Sequence, residues 1–323
     1  MTILYNGDID CKVAIFVAKR EGYIPLSSSL LETSWRTEYF ELGMERFHNK
    51  NKSGLIFLDC LPDDRIIKIL YNAQIPVFVI LKNAYYKDKF EEYFQNGWVK
   101  GFYFSELSIT YMLLSWFRYK RDDERTIRFL EQLKTSKAIQ MDNFEYSLNL
   151  VNSYVTGNDI FPDAFAYGHL LETVRGKTQI PKQYEKHLFN MVQVTKDITE
   201  GLQIVETKKK LFLNFFKKNG YYIKYSKVTL YAVNYPCVEN YMIKELIEDN
   251  DAILTYYNDG YYWHCKLFSN RSSINCIKLA KRYHENTKQR FFGNEREAEF
   301  MLYNLPIWIR DGKLEIRYKG KKI

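Results

Sequence analysis

Residues 2–21 read TILYNGDIDCKVAIFVAKRE, and this stretch decides the fold class. Its first four residues, 2–5, are apolar and β-prone. Residues 6–10 form a polar turn rich in Asp and Gly. Residues 11–21 then change to helical spacing, with Val13, Ala14, Val17 and Ala18 on one face and Asp10 as the expected N-cap.

Two further segments repeat the pattern. Residues 54–58 are a continuous apolar strand ending at Asp59, and 63–71 are a short helix opened by Pro62 and Asp63. Residues 76–81 are a third strand, ending at Lys82-Asn83. Buried strands that alternate with helices predict a parallel, doubly wound α/β sheet. Ligands of such sheets bind at the carboxyl ends of the strands. Those ends carry Asp8 and Asp10, Asp59, and Lys82 with Asn83.

Farther along, residues 108–119, 122–135, 142–154 and 181–210 have helical spacing. Residues 221–233 alternate like one strand, and 239–249 and 273–282 read as helices. Residues 252–257 and 261–268 form a hairpin about Asn258-Asp259-Gly260, and 305–318 a last hairpin turning at Asp311-Gly312. The whole predicts two domains: an α/β domain over 1–205, a linker over 206–220, and a smaller mixed α+β domain over 221–323, with a cleft between them.

Charge divides at the same place. Residues 1–204 hold 25 Lys/Arg against 26 Asp/Glu, a net of −1, whereas 205–323 hold 22 against 13, a net of +9. Excess positive charge on one part suits an anion such as phosphate or nucleic acid, and equally a plain solvated surface. Aromatic side chains are abundant, with 27 Tyr, 22 Phe and 5 Trp, and some pairs lie in the basic part, such as Tyr221-Tyr222 and Tyr261-Tyr262-Trp263. They can stack bases, but strands favour them anyway and most are expected in cores.

Other classes are excluded. No apolar run approaches the ~20 residues of a membrane helix, and the first residues lack the basic and apolar regions of a signal peptide. Cysteines at 11, 60, 237, 265 and 276 include no C-x-x-C, and histidines at 48, 169, 187, 264 and 284 include no H-x-x-x-H. A disulfide framework or zinc site is not expected. The expected setting is cytoplasmic (the host cytoplasm for a viral chain), with no membrane.

In Asp8-x-Asp10 two carboxylates of an extended turn point the same way. With Asp59 they form an oxygen set able to hold one Mg or Mn ion; the plain alternative is that each Asp caps a helix.

The motifs ILYNGDIDCKVA at 3–14, LIFLDC at 55–60, ILKNAY at 80–85 and TYMLLSW at 110–116 resemble, in order, those of the DHH phosphoesterase superfamily. The first motif of that family is H-x-D-x-D-G; here Asn6 replaces the His, Asp8 and Asp10 match, and Cys11 replaces the Gly. Lys82-Asn83-Ala84 falls where D-H-H stands in the family, and the position of the fourth family Asp, on the following helical region, stays open with Asp142 as a candidate. Residues 233–251, 263–283 and 292–300 resemble the DHH-associated C-terminal domain of RecJ-like and nanoRNase-like proteins. There Phe268 replaces a phosphate-binding Arg, Gly293 matches one Gly of a glycine-rich motif, and Glu295 replaces its His.

The resemblance implies a metal set of Asp8, Asp10 and Asp59, and substrate contacts from Asn6, Lys82, Asn83, Lys266 and Arg296. It also implies two metal ions in active relatives, and this chain lacks the ligands for two. One hydrated Mg or Mn is one expectation. A Lys82 contact with Asp59 or Asp10, in place of a metal, is the other. The functional expectation is a catalytically impaired protein that binds a nucleotide, cyclic dinucleotide or short oligonucleotide in the interdomain cleft. The alternatives are an active Mn- or Mg-dependent phosphodiesterase or exonuclease with a reduced metal site, and a structural subunit with a protein partner or a second copy of itself.

Overall fold

The computed structural model describes residues 2–33, 54–158, 160–174, 180, 182–225, 228–236, 240–248, 251–260, 262–284, 291–293, 295–302, 317–318 and 321–322. The chain divides into two compact units, Met1–Val205 and Glu206–Ile323. Each is built on its own sheet, and the protein is a two-domain α/β fold.

In the first unit five strands, β1 (Thr2–Asn6), β2 (Ser29–Thr33), β3 (Leu55–Leu58), β4 (Val77–Leu81) and β5 (Lys100–Tyr103), form one sheet in the order β2-β1-β3-β4-β5. Every neighbouring pair is parallel. β1 and β3 alternate their side chains between two cores. Ile3, Tyr5, Ile56 and Leu58 face α1 (Ile9–Arg20) and the helix that begins at Ile109, buried from Ile109 through Phe117. Leu4, Leu55 and Phe57 face α2 (Asp64–Asn72) and α3 (Lys87–Gln95), whose Ile66, Ile67, Leu70, Phe90 and Tyr93 close that side. Burial on both faces explains why these strands read as continuous apolar runs. Gly101 in β5 has φ +138, and a Cβ there would collide with the backbone of Val79, so only glycine lets β5 lie this close to β4.

The helical stretch comprises α4 (Ile109–Arg118), α5 (Asp123–Thr135), α6 (Lys137–Asn143), α7 (Tyr146–Thr156), α8 (Ala164–Thr173) and α9 (Tyr184–Phe189). Then α10 (Met191–Asn219) runs without a break through most of the segment read as a linker over 206–220. The reason lies in its last turns. Phe212 and Phe216 are buried in a core of the second unit, so packing holds the helix where composition alone suggests a joint.

The second unit has a six-stranded sheet in the order β10-β11-β9-β8-β7-β6, made by β6 (Tyr221–Tyr225), β7 (Val228–Asn234), β8 (Ala252–Asn258), β9 (Trp263–Phe268), β10 (Phe291–Gly293) and β11 (Glu297–Leu302). Only β7 and β8 pair in parallel. Residues 221–233 are thus two antiparallel strands and not the single strand expected. The hairpin about Asn258-Asp259-Gly260 is present, with Gly260 at φ +97. One face packs on α12 (Cys276–His284) through Cys276 and Ala280, the other on α11 (Asn240–Glu248) through Met242, Ile243 and Ile247. A two-stranded ladder, β12 (Arg317–Tyr318) with β13 (Lys321–Lys322), ends the described chain. The last hairpin expected over 305–318, with its turn at Asp311-Gly312, lies outside the described residues except for Arg317 and Tyr318.

Cys11, Cys60, Cys265 and Cys276 are buried free thiols. No described helix is long and apolar enough to cross a membrane.

Candidate functional site

The strand order reverses between β1 and β3: from β1 the chain goes to β2 on one side, and β3, β4 and β5 follow on the other. Such a switch point leaves a crevice at the carboxyl ends of the two strands. The register is level there, with Tyr5 beside Leu58 and Leu58 beside Ile80. The turns after β1, β3 and β4 therefore meet, and they carry Asp8 and Asp10, Asp59, and Lys82 with Asn83.

Each carboxylate has a different partner. Asp8 is the N-cap of α1: its Oδ1 accepts the Cys11 amide at 2.9 Å. The sequence reading gave that role to Asp10, which instead lies inside the helix and is fully buried. Cap and helix start differ by two residues because Gly7-Asp8 already turns the chain. A Cβ on Gly7 would collide with Glu32 of β2, which lies over the turn.

Asp10 faces the N-terminus of α4. Its Oδ1 accepts the Thr110 amide at 3.0 Å and the Thr110 hydroxyl at 2.9 Å; its Oδ2 accepts the Ile109 amide at 2.8 Å and the Lys82 ammonium at 2.9 Å. Two free N–H groups and the positive end of the helix dipole stabilise the anion. Four donors fill the roughly four lone-pair positions of a carboxylate.

Asp59 is buried and has φ +49, a left-handed conformation that Asp tolerates better than most residues. This bend ends β3 and turns the carboxylate to the next loop. Its Oδ1 accepts the backbone amides of Lys82 at 3.1 Å and Asn83 at 3.0 Å. Asn83 in turn caps the short 3-10 turn Ala84–Tyr86 through Oδ1 and the Tyr85 amide.

Lys82 completes the group. Its Nζ lies 2.9 Å from Asp10 Oδ2 and 3.8 Å from Asp8 Oδ2, which is the Lys82–Asp10 contact anticipated above. Burial works against its charge, but Asp10, Asp8 and Asp59 outweigh burial and hold its pKa above the usual lysine value. Burial raises Asp8 to about 6, with Lys82 pulling the other way and Asp10 adding to the rise. Burial also raises Asp59, again against Lys82. Cys11, buried among these carboxylates, is pushed well above the usual thiol value and donates to the Leu58 carbonyl at 3.5 Å, so it is no nucleophile.

The remaining expected residues stand apart from this constellation. Asn6 is the half-buried last residue of β1, beside Thr33. Asp142, the candidate for the fourth Asp, is exposed on α6. In the second unit Lys266 lies between Glu297 at 2.9 Å and Glu299 at 2.6 Å. Arg296 is exposed, and its carbonyl accepts the Ser269 amide. Phe268 is buried in the core under α11, and Glu295 accepts from the Asn275 side chain through Nδ2.

Sequence reading placed a helix over 108–119 but missed that Thr110 and the start of this helix bind Asp10 from a hundred residues away. Ser108, whose Oγ caps α4 by accepting the Tyr111 amide, was the signal that a positive helix end lay there. Tyr184 of α9 was also missed; burial, with the nearby charge of Asp8, raises it to about 12.

A two-metal centre does not fit these residues. Asp10 has no unengaged lone pair, and Asp8 and Asp59 each commit one oxygen to backbone amides. Among the described residues no group of three or more His, Cys, Asp or Glu side chains is disposed to hold a metal ion.

No family model matches this sequence, and no curated protein matches it. Among solved structures it is similar to the pGpG-specific phosphodiesterase PggH of Vibrio cholerae, at 12% identity and TM-score 0.37 over 94% of this chain and 92% of that one. It is similar to CDC45 of Entamoeba histolytica at 11% identity and TM-score 0.39, with the same coverage. It is also similar to an uncharacterized protein of Helicobacter pylori G27, at 12% identity and TM-score 0.32 over 98% of both chains. At these scores the likenesses assign neither family nor activity.

Proposed function

We propose that this chain is a DHH-like phosphoesterase relative that has lost hydrolysis and binds short nucleotides. The observation that carries the proposal is the switch-point crevice. It has the family's first Asp pair and second-motif Asp at the strand ends, but Lys82-Asn83-Ala84 where the D-H-H would stand. Hydrolysis of a phosphodiester by two metals needs ligands that bridge them and activate water. Here Asp10 binds the start of α4, and an ammonium faces Asp10 and Asp8. The net charge of +9 over residues 205–323 supports affinity for an anionic ligand. The crevice itself, with three acids and one lysine, does not attract phosphate, so binding is assigned to the basic second unit.

The test uses pGpG, the dinucleotide in the name of the Vibrio protein, and a set of short oligonucleotides. With Mn²⁺ present, no cleavage above a protein-free control is expected. Calorimetry is expected to show binding at low salt that weakens steeply as salt rises. Mn²⁺-dependent cleavage that disappears in Asp10→Asn overturns the loss of hydrolysis. Absence of binding at low salt overturns the nucleotide ligand.

A further inference from the structure

We propose that the Lys82 ammonium is the resident cation of the strand-end crevice, a tethered charge that does the electrostatic work of a divalent ion. Asp8, Asp10 and Asp59 converge where the sheet order reverses, and three carboxylates so placed repel one another unless a cation lies among them. The cation present is Lys82, with its side chain only 16% exposed and its Nζ 2.9 Å from the wholly buried Asp10.

The chemistry of the donor set selects an ammonium over a metal. Mg²⁺ demands near-octahedral oxygen ligands at about 2.1 Å. An ammonium offers three hydrogens and accepts an incomplete set of partners. Asp10 can supply one lone pair to the crevice because Thr110 and Ile109 hold its others. With Lys82 in place that lone pair is taken, so a metal finds no open oxygen on Asp10 until the ammonium is removed.

The tether fixes the charge from two directions. The backbone amide of Lys82 binds Asp59 while its side chain binds Asp10, so one residue ties the end of β3 to α1 and the end of β4. Glu32 and Lys12 do not compete for the position, since they pair with each other at 3.8 Å. A covalently held cation has no dissociation step, so neither a chelator nor added divalent ion changes the native crevice. Removal of the ammonium leaves three carboxylates that then need a dissociable cation.

The test compares thermal unfolding of the full chain, as wild type, Lys82→Met and Lys82→Gln, in EDTA and in MnCl2 against NaCl of equal ionic strength. The wild type is expected to melt at one temperature in all three. Both variants are expected to melt lower in EDTA and to rise by several degrees in MnCl2, and this rise is expected to vanish in Lys82→Met/Asp8→Asn. Variants that are unfolded in EDTA and recover native circular dichroism with Mn²⁺ support the proposal equally. A wild type that responds to Mn²⁺ or EDTA as strongly as the variants overturns it. So do variants that gain nothing from Mn²⁺, folded or unfolded. The same crevice underlies the loss of hydrolysis proposed above, but no nucleotide enters these melts. Failure of nucleotide binding therefore leaves this result standing, and the reverse also holds.

Discussion

Lys82 and Lys266 each face two carboxylates, and their surroundings separate them. Lys82 meets Asp10 at 2.9 Å and Asp8 at 3.8 Å in the first unit; Lys266 meets Glu299 at 2.6 Å and Glu297 at 2.9 Å in the second. By distance alone Lys266 has the better pair. Burial opposes the charge of both lysines, and the acids outweigh it in both. The difference lies in the partners. Asp10 is 0% exposed and locked by the start of α4, whereas Glu299, directly across the strand pair from Lys266, is 51% exposed. A carboxylate that water can solvate loses little when its lysine goes; one sealed in protein cannot be solvated at all. Partner burial, not contact distance, sets the weight of an ion pair.

The largest expected effect breaks the buried pair. Lys82→Met is expected to cost about 3–5 kcal/mol in urea unfolding at neutral pH, because it strands a buried charge. Lys82→Met/Asp10→Asn should cost clearly less than the sum of the two single changes. A loss below about 1 kcal/mol for Lys82→Met would place this pair with the surface pairs and erase the contrast.

Thr110→Val tests the other side of Asp10. It removes one hydroxyl donor to Oδ1 and keeps shape and backbone, so a loss of about 1.5–3 kcal/mol is expected in the same assay. No loss would mean that the helix amides and Lys82 suffice to hold the carboxylate.

Asp8 sharpens the comparison through pH. Its folded pKa of about 6 lies above its ordinary 3.8, because burial, aided by Asp10 and Asp59, outweighs Lys82. The folded chain thus holds this proton more tightly than the unfolded chain. The stability it contributes is full below pH ~4 and is lost as pH rises through about 6. Unfolding midpoints measured across that window should fall more in the wild type than in Asp8→Asn, whose side chain still caps α1 and in which Asp59, also raised by burial, still titrates. A fall of equal size in both proteins would assign the titration to another group.

The smallest effect belongs to Lys266→Ala, expected to cost less than about 1 kcal/mol and to shrink further in high salt. A cost matching that of Lys82→Met would reverse the order of the two lysines.

Much of this was legible before any coordinates. The acids at strand ends were readable because a turn between an apolar strand and a helix needs small, polar residues, and Asp8 and Asp59 stand there. The meeting of Asp8, Asp10, Asp59, Lys82 and Asn83 followed from strand direction, since all five trail parallel strands. Misreadings came where packing overrode local pattern. Residues 206–220 carry a charge run that suggests a joint, yet Phe212 and Phe216 anchor them as helix. Residues 221–233 alternate evenly, yet they split into two strands that pair with each other.

The sequence by itself determined the alternation of strands and helices, the parallel class of the first sheet and the unequal charge of the two units. Those properties depend on periodicity and composition, which act over a few residues or by simple sums. Only the tertiary structure decided what each carboxylate does. Asp8 caps α1, Asp59 takes two amides from the loop after β4, and Asp10 binds the start of α4 and the Lys82 ammonium. The partners of Asp10 lie 72 to 100 residues away along the chain. Strand order, register and helix placement bring them within 3 Å, and no local pattern encodes that distance.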